Sequence, residues 1–280
     1  MNHRVSPRLT EKLAFALLWL GTLLTLSLLV LLFGVILGRG LPHLDWAFLS
    51  QSPLEQGRGG GVLPMLASSL YVAATGVAVA TPLGVGTALY LSEFTRSRWL
   101  PRLVRFGAEL LSGVPSIVFG LFGFALFVMY LRLGLSVLSG GLTLAAMILP
   151  TIVRTSVEAI RRVPRPWREV SGALGATRLQ TVTQVVLPAA LPGIATGVVL
   201  GLGRGLAETA ALILTAGSAL ELPASPLSPA RTLSVHLYVM AREGISPERA
   251  YATASLLVVS LLVINALAYA VMHRLARVAR

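Results

Sequence analysis

The sequence predicts an all-α membrane protein with six transmembrane helices. The 280-residue chain is 55% hydrophobic and only 12% charged, about half the charged share of an ordinary soluble domain. Apolar runs of about 20 residues or more recur along it, and that is the length a helix needs to cross a bilayer. Lys and Arg are concentrated in alternate segments between these runs, as they are in the cytoplasmic loops of membrane proteins.

The apolar segments define where the six spans are expected. They cover 13–38, 64–92, 106–131, 140–160, 189–216 and 250–273. The first is too long for the apolar region of a cleavable signal peptide, which has about 7–15 residues, so we expect it to be retained as a span. Prolines occur inside four of the others, and such positions usually face protein rather than lipid.

The basic residues predict the orientation of the spans. The N-terminus, 93–105, 154–178 and the C-terminus together hold sixteen Lys and Arg, whereas the alternate set of segments holds six. The positive-inside rule therefore predicts that both termini are cytoplasmic, in agreement with an even number of spans. The net charge of +12 is explained by this topology, and we expect no nucleic-acid partner. The chain has no cysteine, and we expect its four scattered histidines at surfaces or interfaces.

A polar interval, REVSGALGATRLQTVTQVVLP (168–188), separates the fourth and fifth spans. Pro164 and Pro166 precede it, and they predict the end of one helix and the start of another. The stretch 167–174 is long enough for a two-turn helix, and Gly175 suits a helix end. A second helix is expected from Ala176 to Val186, on the way into the fifth span. On composition alone, the interval is also compatible with an ordinary basic cytoplasmic loop.

The spacing of this interval resembles the cytoplasmic loop of ABC-importer permeases. In that family an acidic residue and two alanines precede a glycine, and an apolar-x-Leu-Pro sequence follows. Glu169, Gly175 and Leu187-Pro188 match this pattern, whereas Val170 and Ser171 stand in place of the two alanines. The resemblance implies a coupling helix that inserts into an ATPase subunit. The residues assigned to this contact are Trp167, Glu169, Ser171, Leu174, Gly175, Leu187 and Pro188.

The chain itself has no ATP-binding motif. Its single lysine, Lys12, lacks the neighbouring glycines of a GxxxxGK[ST] phosphate-binding loop. We therefore predict that the protein is not an enzyme and holds no cofactor. ATP and Mg would be bound by a partner ATPase.

The charged candidates for the substrate path lie inside two of the predicted spans. Arg204 and Glu208 belong to the fifth, where a charge costs at least about 2.5–3.5 kcal/mol unless it faces protein or water. At four residues apart on one helix they should share a face. They could neutralise each other, or Arg204 could bind an anionic solute with Glu208 orienting it. Arg154 is either a second solute contact, with the Thr155 hydroxyl beside it, or an ordinary arginine reaching the cytoplasmic surface.

Longer stretches resemble the A-type permease subunit of the phosphate-specific ABC importer. They are LLSGVPSIVFGLFG (110–123), LPTIVRTSVEAIRRVP (149–164), 187–217 and TLSVHLYVMAREG (232–244), and GRGLAETA is the most specific part. The resemblance implies a type I ABC importer (MetI-like) permease fold with Arg204, Glu208, Arg154 and Thr155 on the substrate path. It divides the chain into three parts. These are an N-terminal tail, first helix and external loop (1–63), a permease domain (64–273) and a cytoplasmic tail (274–280).

The same resemblance implies the partners and the location. They are a homologous second permease in a heterodimer, two ATP-binding subunits and an extracytoplasmic phosphate-binding protein, in a bacterial or archaeal cytoplasmic (inner) membrane. An arginine-lined path does not distinguish phosphate from molybdate, tungstate or sulfate, so a permease for another oxyanion is an alternative. An ion-coupled secondary transporter is an alternative of a different class, although it would need inverted repeats and membrane-centre acids. An intramembrane enzyme is a third, but scattered histidines and no cysteine supply no catalytic constellation.

Overall fold

The computed structural model describes residues 7–97 and 99–278, and these are mostly helical. The helices are α1 (Pro7–Gly40), α2 (Trp46–Ser50), α3 (Leu63–Leu89), α4 (Trp99–Gly113), α5 (Ser116–Gly123), α6 (Val137–Arg162), α7 (Arg165–Ala173), α8 (Arg178–Thr181), α9 (Leu187–Leu206), α10 (Ala210–Thr215), α11 (Leu233–Arg242) and α12 (Pro247–Val278). Two-residue strands, β1 (Pro53–Leu54) and β2 (Gly59–Gly60), pair antiparallel in the loop after α2. Arg4, Arg98 and Arg280, which contributed to the predicted orientation, lie outside the described residues, as does His3.

Within the described ranges, five helical segments are long and apolar enough to cross a membrane. They are Glu11–His43, Leu63–Phe94, Val137–Arg162, Arg178–Leu206 and Pro247–Ala270. A bent helix pair, Trp99–Gly113 with Ser116–Tyr130, makes a sixth if it counts as one span. The all-α membrane fold is therefore confirmed, and the predicted six spans correspond to five straight segments and one bent pair.

The predicted continuous span 106–131 is wrong, because the helices on either side of Val114 meet at 102°. Pro115 has no backbone N–H to donate, and it disfavours helical backbone at the preceding residue. It takes the N-cap position of α5, in extended backbone. The predicted span thus begins in the middle of α4 and crosses a sharp bend.

The core lies where α3, α6 and α9 pack together. Leu144, Ile148 and Ile152 of α6 are fully buried there. Gly76 of α3 and Gly205 of α9 both lie directly against the Leu144 side chain, so an added Cβ at either position would force Leu144 to shift. Small residues let helix backbones approach closely in a membrane, where apolar surface alone does not drive association.

The first helix packs at the edge of the bundle. Residues 11–34 of α1 are exposed, and the helix contacts α12 near its end. There Gly40 lies against the backbone of Tyr251, and the Ser255 hydroxyl donates a hydrogen bond to the Ile36 carbonyl at 2.9 Å. Most of α1 is thus available to lipid or to another subunit.

The predicted fifth span, 189–216, is also interrupted. Its helix ends at Leu206, and α10 starts only at Ala210 after a short non-helical break. Conversely, the helix starts earlier than expected, because α8 continues through a π-helical turn at Val182–Val186 into α9. The polar interval and the fifth span are therefore joined by one unbroken helical segment, Arg178–Leu206.

One histidine departs from the expectation that they lie at surfaces. His236 of α11 is 1% exposed, and its ring packs beneath Gly57 of the loop after β1. Burial, and to a lesser degree the positive charge of Arg231, lower the pKa of His236 to about 4. His236 is therefore neutral near pH 7, which suits a buried position.

Candidate functional site

Arg204 and Glu208 lie on either side of the α9 end, and the expectation that they share a helical face is wrong. Arg204 is in the last turn of α9, whereas Glu208 belongs to the break between α9 and α10. Their side chains form no ion pair within the described part of the chain. The helix ends between them, so the spacing of four residues no longer brings the two side chains together.

Glu208 stabilises the break itself. Its Oε1 accepts hydrogen bonds from the backbone N–H groups of Thr209 at 3.2 Å and Ala211 at 3.3 Å. Its carbonyl accepts a hydrogen bond from the Ser234 hydroxyl of α11 at 2.5 Å. Glu208 therefore satisfies backbone donors at the start of α10 and ties the break to α11, both of which are structural contacts.

Arg204 belongs to an exposed stripe along α9. The stripe comprises Thr196, Leu200, Arg204 and Ala207, at spacings of four, four and three residues. The Arg204 guanidinium makes no hydrogen bond or ion pair with any residue that the structure describes. A lone charge on an apolar span is too costly to face hydrocarbon, so this stripe requires water or another protein against it.

Arg154 and Thr155 are neighbours in the sequence, but they point to different surroundings. The side chain of Arg154 is 68% exposed, and its Nε lies 3.5 Å from Glu158 Oε1. Thr155 donates a hydrogen bond to the Thr151 carbonyl at 2.8 Å and packs directly against Gly197 of α9. Arg154 lines a cavity between α4 and α6 to which Arg204 does not contribute. The structure thus does not bring the four predicted path residues together.

The predicted short helix in the polar interval is present as α7, with Pro164 at its N-cap. Trp167, Val170 and Leu174 lie at spacings of three and four residues, and they are 50%, 60% and 83% exposed. They form one apolar face that no described residue covers. Glu169 is also exposed, but on another side of α7. Exposed apolar surface of this kind, held on a short rigid helix, is suited to bind in a groove of another protein.

The turn after α7 is held by local contacts. Gly175 has a φ of +84°, the left-handed conformation that favours glycine. Ser171 follows Trp167 by four residues but is buried, and its hydroxyl lies 2.8 Å from the Thr181 hydroxyl of α8. Ser171 therefore fixes α7 against α8 and does not belong to the exposed face. Leu187 is half-buried and Pro188 exposed, both within the continuous helix.

Arg168 is a functional candidate that the sequence reasoning missed. Its Nη2 lies 2.7 Å from Glu93 Oε1, and its Nε donates to both carboxylate oxygens of Glu93. It also donates to the carbonyls of Val163 at 2.6 Å and Ile160 at 3.0 Å. One side chain thus joins α7 to the ends of α3 and α6. The two charges are 75 residues apart in the chain, so no local spacing could have revealed the pair.

The comparison with known families identifies the chain. Residues 80–280 match the model of the binding-protein-dependent transport system inner membrane component family. The chain is a member of that family. It is also 35% identical over 279 residues, covering 93% of this chain and 94% of the relative, to the probable ABC transporter permease protein YqgI of Bacillus subtilis. The chain is therefore a multi-pass ABC transporter permease component of the inner membrane, and not an enzyme.

Other relatives carry a more specific description. The chain is 31% identical over 257 residues to the phosphate transport system permease protein PstA of Haemophilus influenzae, covering 91% of each chain. It is 32% identical over 270 residues to PstA 2 of Mycobacterium bovis, covering 93% of this chain and 88% of the relative. Those relatives are named as phosphate transport permeases.

Solved structures confirm the type I importer permease fold. An inward-facing MetNI methionine ABC transporter chain matches with a TM-score of 0.60 and 22% identity, over 77% of this chain and 94% of that one. A chain of a bacterial alginate ABC transporter, crystallised with an alginate-bound periplasmic protein, matches with a TM-score of 0.66 and 17% identity, over 96% and 98%. At these identities the likeness concerns the fold alone.

Proposed function

We propose that this permease is the A-type membrane subunit of an ATP-driven phosphate importer and forms half of the translocation path. Relatives described as phosphate permeases, matching over about nine-tenths of the chain, support the substrate. In this proposal 64–273 is the permease domain and both termini are cytoplasmic. An extracytoplasmic binding protein delivers the phosphate to the other side.

The observation that carries the proposal is the unpaired Arg204 on the exposed stripe of α9. A guanidinium without a counter-ion attracts oxyanions, and its planar donors suit the oxygens of phosphate. The adjacent break leaves irregular backbone at membrane depth, which is tolerated only in protein or beside a water-filled cavity. The stripe would therefore face the path, and a homologous second permease would close it from the other side.

Glu208 takes a supporting role in this proposal. Its carboxylate holds the start of α10 and its carbonyl binds α11, so it fixes the shape of the break next to Arg204. Thr155 would act in the same indirect way, by packing α6 against α9 at Gly197. Arg154 is separated from this stripe, and its proposed role is weaker because Glu158 lies beside its guanidinium.

Energy would reach the path through α7. We assign the exposed face of Trp167, Val170 and Leu174, together with Glu169, to contact with an ATP-binding subunit, two copies of which would bind ATP and Mg. Gly175 shapes the turn, and Ser171 fixes α7 to α8. Leu187 and Pro188 lie in the helix that leads from this turn to Arg204.

Uptake of radiolabelled phosphate into proteoliposomes that contain the complete complex tests the proposal. We expect ATP-dependent uptake that excess sulfate and molybdate do not compete away. Arg204→Gln should reduce it at least tenfold with the complex still assembled, whereas Arg132→Gln, the same change on an exposed loop arginine, should not. Preferential uptake of molybdate, tungstate or sulfate over phosphate would favour a permease for that oxyanion. Uptake that follows an ion gradient without ATP would favour a secondary transporter.

A further inference from the structure

A basic cavity lies between α4 and α6, away from the Arg204 stripe. It has a volume of about 340 Å³, and Arg105, Arg154 and Arg161 line it. An adjoining cavity of about 540 Å³ shares Arg105 and Arg161 and adds Arg96 and Arg102. The two acids in these linings are Glu109 and Glu158. The combined site thus carries five arginines against two glutamates.

Most of these arginines lack a counter-charge. Arg154 is 3.5 Å from Glu158. The other four guanidiniums make no hydrogen bond or ion pair with any residue in the described ranges. Because guanidinium groups bind phosphate oxygens well, the site has the donors for an anionic phosphate group.

Most of the uncharged lining of the smaller cavity is apolar. Leu91, Val104 and Val157 contribute to the walls beside the arginines. Inorganic phosphate has no apolar part that could pack against these walls, whereas a phospholipid carries a phosphate and hydrocarbon chains on the same molecule. Basic pockets between transmembrane helices are known to bind anionic headgroups in this way.

The outer face of α4 places the site at the lipid boundary. Trp99, Leu103, Phe106 and Leu110 follow one another at spacings of four, three and four residues, and all are exposed. Val104 and Arg105, which line the cavity, lie on the other side of the helix. An amphipathic helix with tryptophan and phenylalanine on its apolar face is typical of a segment embedded at a membrane interface.

We propose that the cavity between α4 and α6 binds the headgroup of an anionic phospholipid, with its phosphate between Arg105 and Arg161. Its acyl chains would continue along the apolar walls into the leaflet that surrounds α4. Bound there, the lipid would neutralise arginines that this chain leaves unpaired and would fill the space between two helices. This inference does not depend on which solute is transported.

Native mass spectrometry of the assembled complex tests the proposal. The complex is titrated with phosphatidylglycerol and, separately, with zwitterionic phosphatidylcholine. We expect tighter binding of phosphatidylglycerol, weakened about fivefold for each arginine removed, in Arg105→Gln and Arg161→Gln. Arg58→Gln, the same charge change in the loop after α2, is the matched control and should bind as the wild type does. Arg161→Lys keeps the charge and should retain most of the binding.

Equal binding of the two lipids, or undiminished binding by the assembled Arg105→Gln/Arg161→Gln variant, would overturn the proposal. A further arm adds excess inorganic phosphate to the lipid-bound complex. Retention of the lipid supports a phospholipid site. Displacement of the lipid by inorganic phosphate would show that the arginines select a free anion and would overturn the assignment to lipid.

Discussion

Arg168 and Glu93 form a two-pronged ion pair, 2.7 Å at its shortest, which joins the short exposed helix α7 to the end of the second span. Both side chains are largely buried, at 22% and 12% exposure. The same guanidinium holds carbonyls at the end of α6. Arg168, with partners on two spans, therefore acts together with the Ser171–Thr181 contact to fix the angle at which α7 projects from the bundle.

Removing either charge of this pair should destabilise the protein. In Glu93→Gln and in Arg168→Gln we expect a loss of about 1.5–3 kcal/mol, the usual worth of hydrogen bonds to charged groups. The measurement is thermal unfolding of the purified complex. In the double variant the losses should be well below additive, since each single change already breaks the pair. Simple additivity would show that the two side chains do not depend on each other.

Substitution of Gly175 should destabilise the protein because of the backbone conformation at this position, and not because neighbouring atoms leave no space. A Cβ at this position would meet open space, but φ is +84°. In Gly175→Ala we expect a cost of about 1–2 kcal/mol, the penalty of left-handed backbone, together with weaker co-purification of the ATPase subunit. Gly172→Ala, an exposed helical glycine that also meets open space, is the matched control. Equal behaviour of the two variants would contradict this explanation.

Substitution of Gly197 should also destabilise the protein, but here because neighbouring atoms leave no space for a larger side chain. Its Cβ position is occupied by the Thr155 side chain of α6. Gly197→Ala should therefore push α6 and α9 apart and cost about 1–3 kcal/mol, as overpacking of a tight core does. Gly86→Ala, in α3 with nothing near it, should be harmless. Thermal unfolding of both variants in one detergent provides the comparison, and a harmless Gly197→Ala would show that the contact can relax.

His236 should make stability depend on pH. Its pKa is about 4 in the folded protein because of burial and, less strongly, Arg231. It is about 6.5 in an unfolded chain. The unfolded state therefore binds more protons between these values, so stability should fall by about 3 kcal/mol as the pH drops from 6.5 to 4. His236→Gln should flatten this part of the profile, whereas exposed His43→Gln should leave it unchanged. If the His236→Gln variant showed the same pH profile as the wild type, His236 would be excluded as the cause of the pH dependence.

The predicted orientation can be tested with reporter fusions. A reporter inserted at 93–97 and one inserted at 217–249 should report opposite sides of the membrane, with the first in the cytoplasm. Two reporters on the same side would contradict an odd number of crossings between them. That result would turn the bent pair α4–α5 from a span into a re-entrant hairpin.

Local signals in the sequence were sufficient for much of the fold. The lengths of the apolar runs predicted the straight spans. Pro164 and Gly175 predicted both ends of α7, because each of these residues acts on the backbone at its own position. The short helix and its turn could thus be predicted without any knowledge of their neighbours.

Features that depend on distant residues could not be predicted in this way. The break after Leu206 interrupts an apolar run, and Glu208 and Ser234 stabilise it from positions 26 residues apart. The bend at Val114 had a visible cause in Pro115, but proline is tolerated inside α3 and α6 at Pro82 and Pro150 without such a bend. What differs is the surrounding packing, which composition does not reveal.

The unbroken helix from Arg178 to Leu206 has a mechanical consequence. Its 29 residues form a rod about 43 Å long, with the α7 turn at one end and the unpaired guanidinium near the other. If such a rod pivots near its middle, a tilt of about 10° displaces each end by about 4 Å, in opposite directions. Such a tilt would move Arg204 by more than the length of a hydrogen bond while the hydrogen bonds within its own helix stay intact.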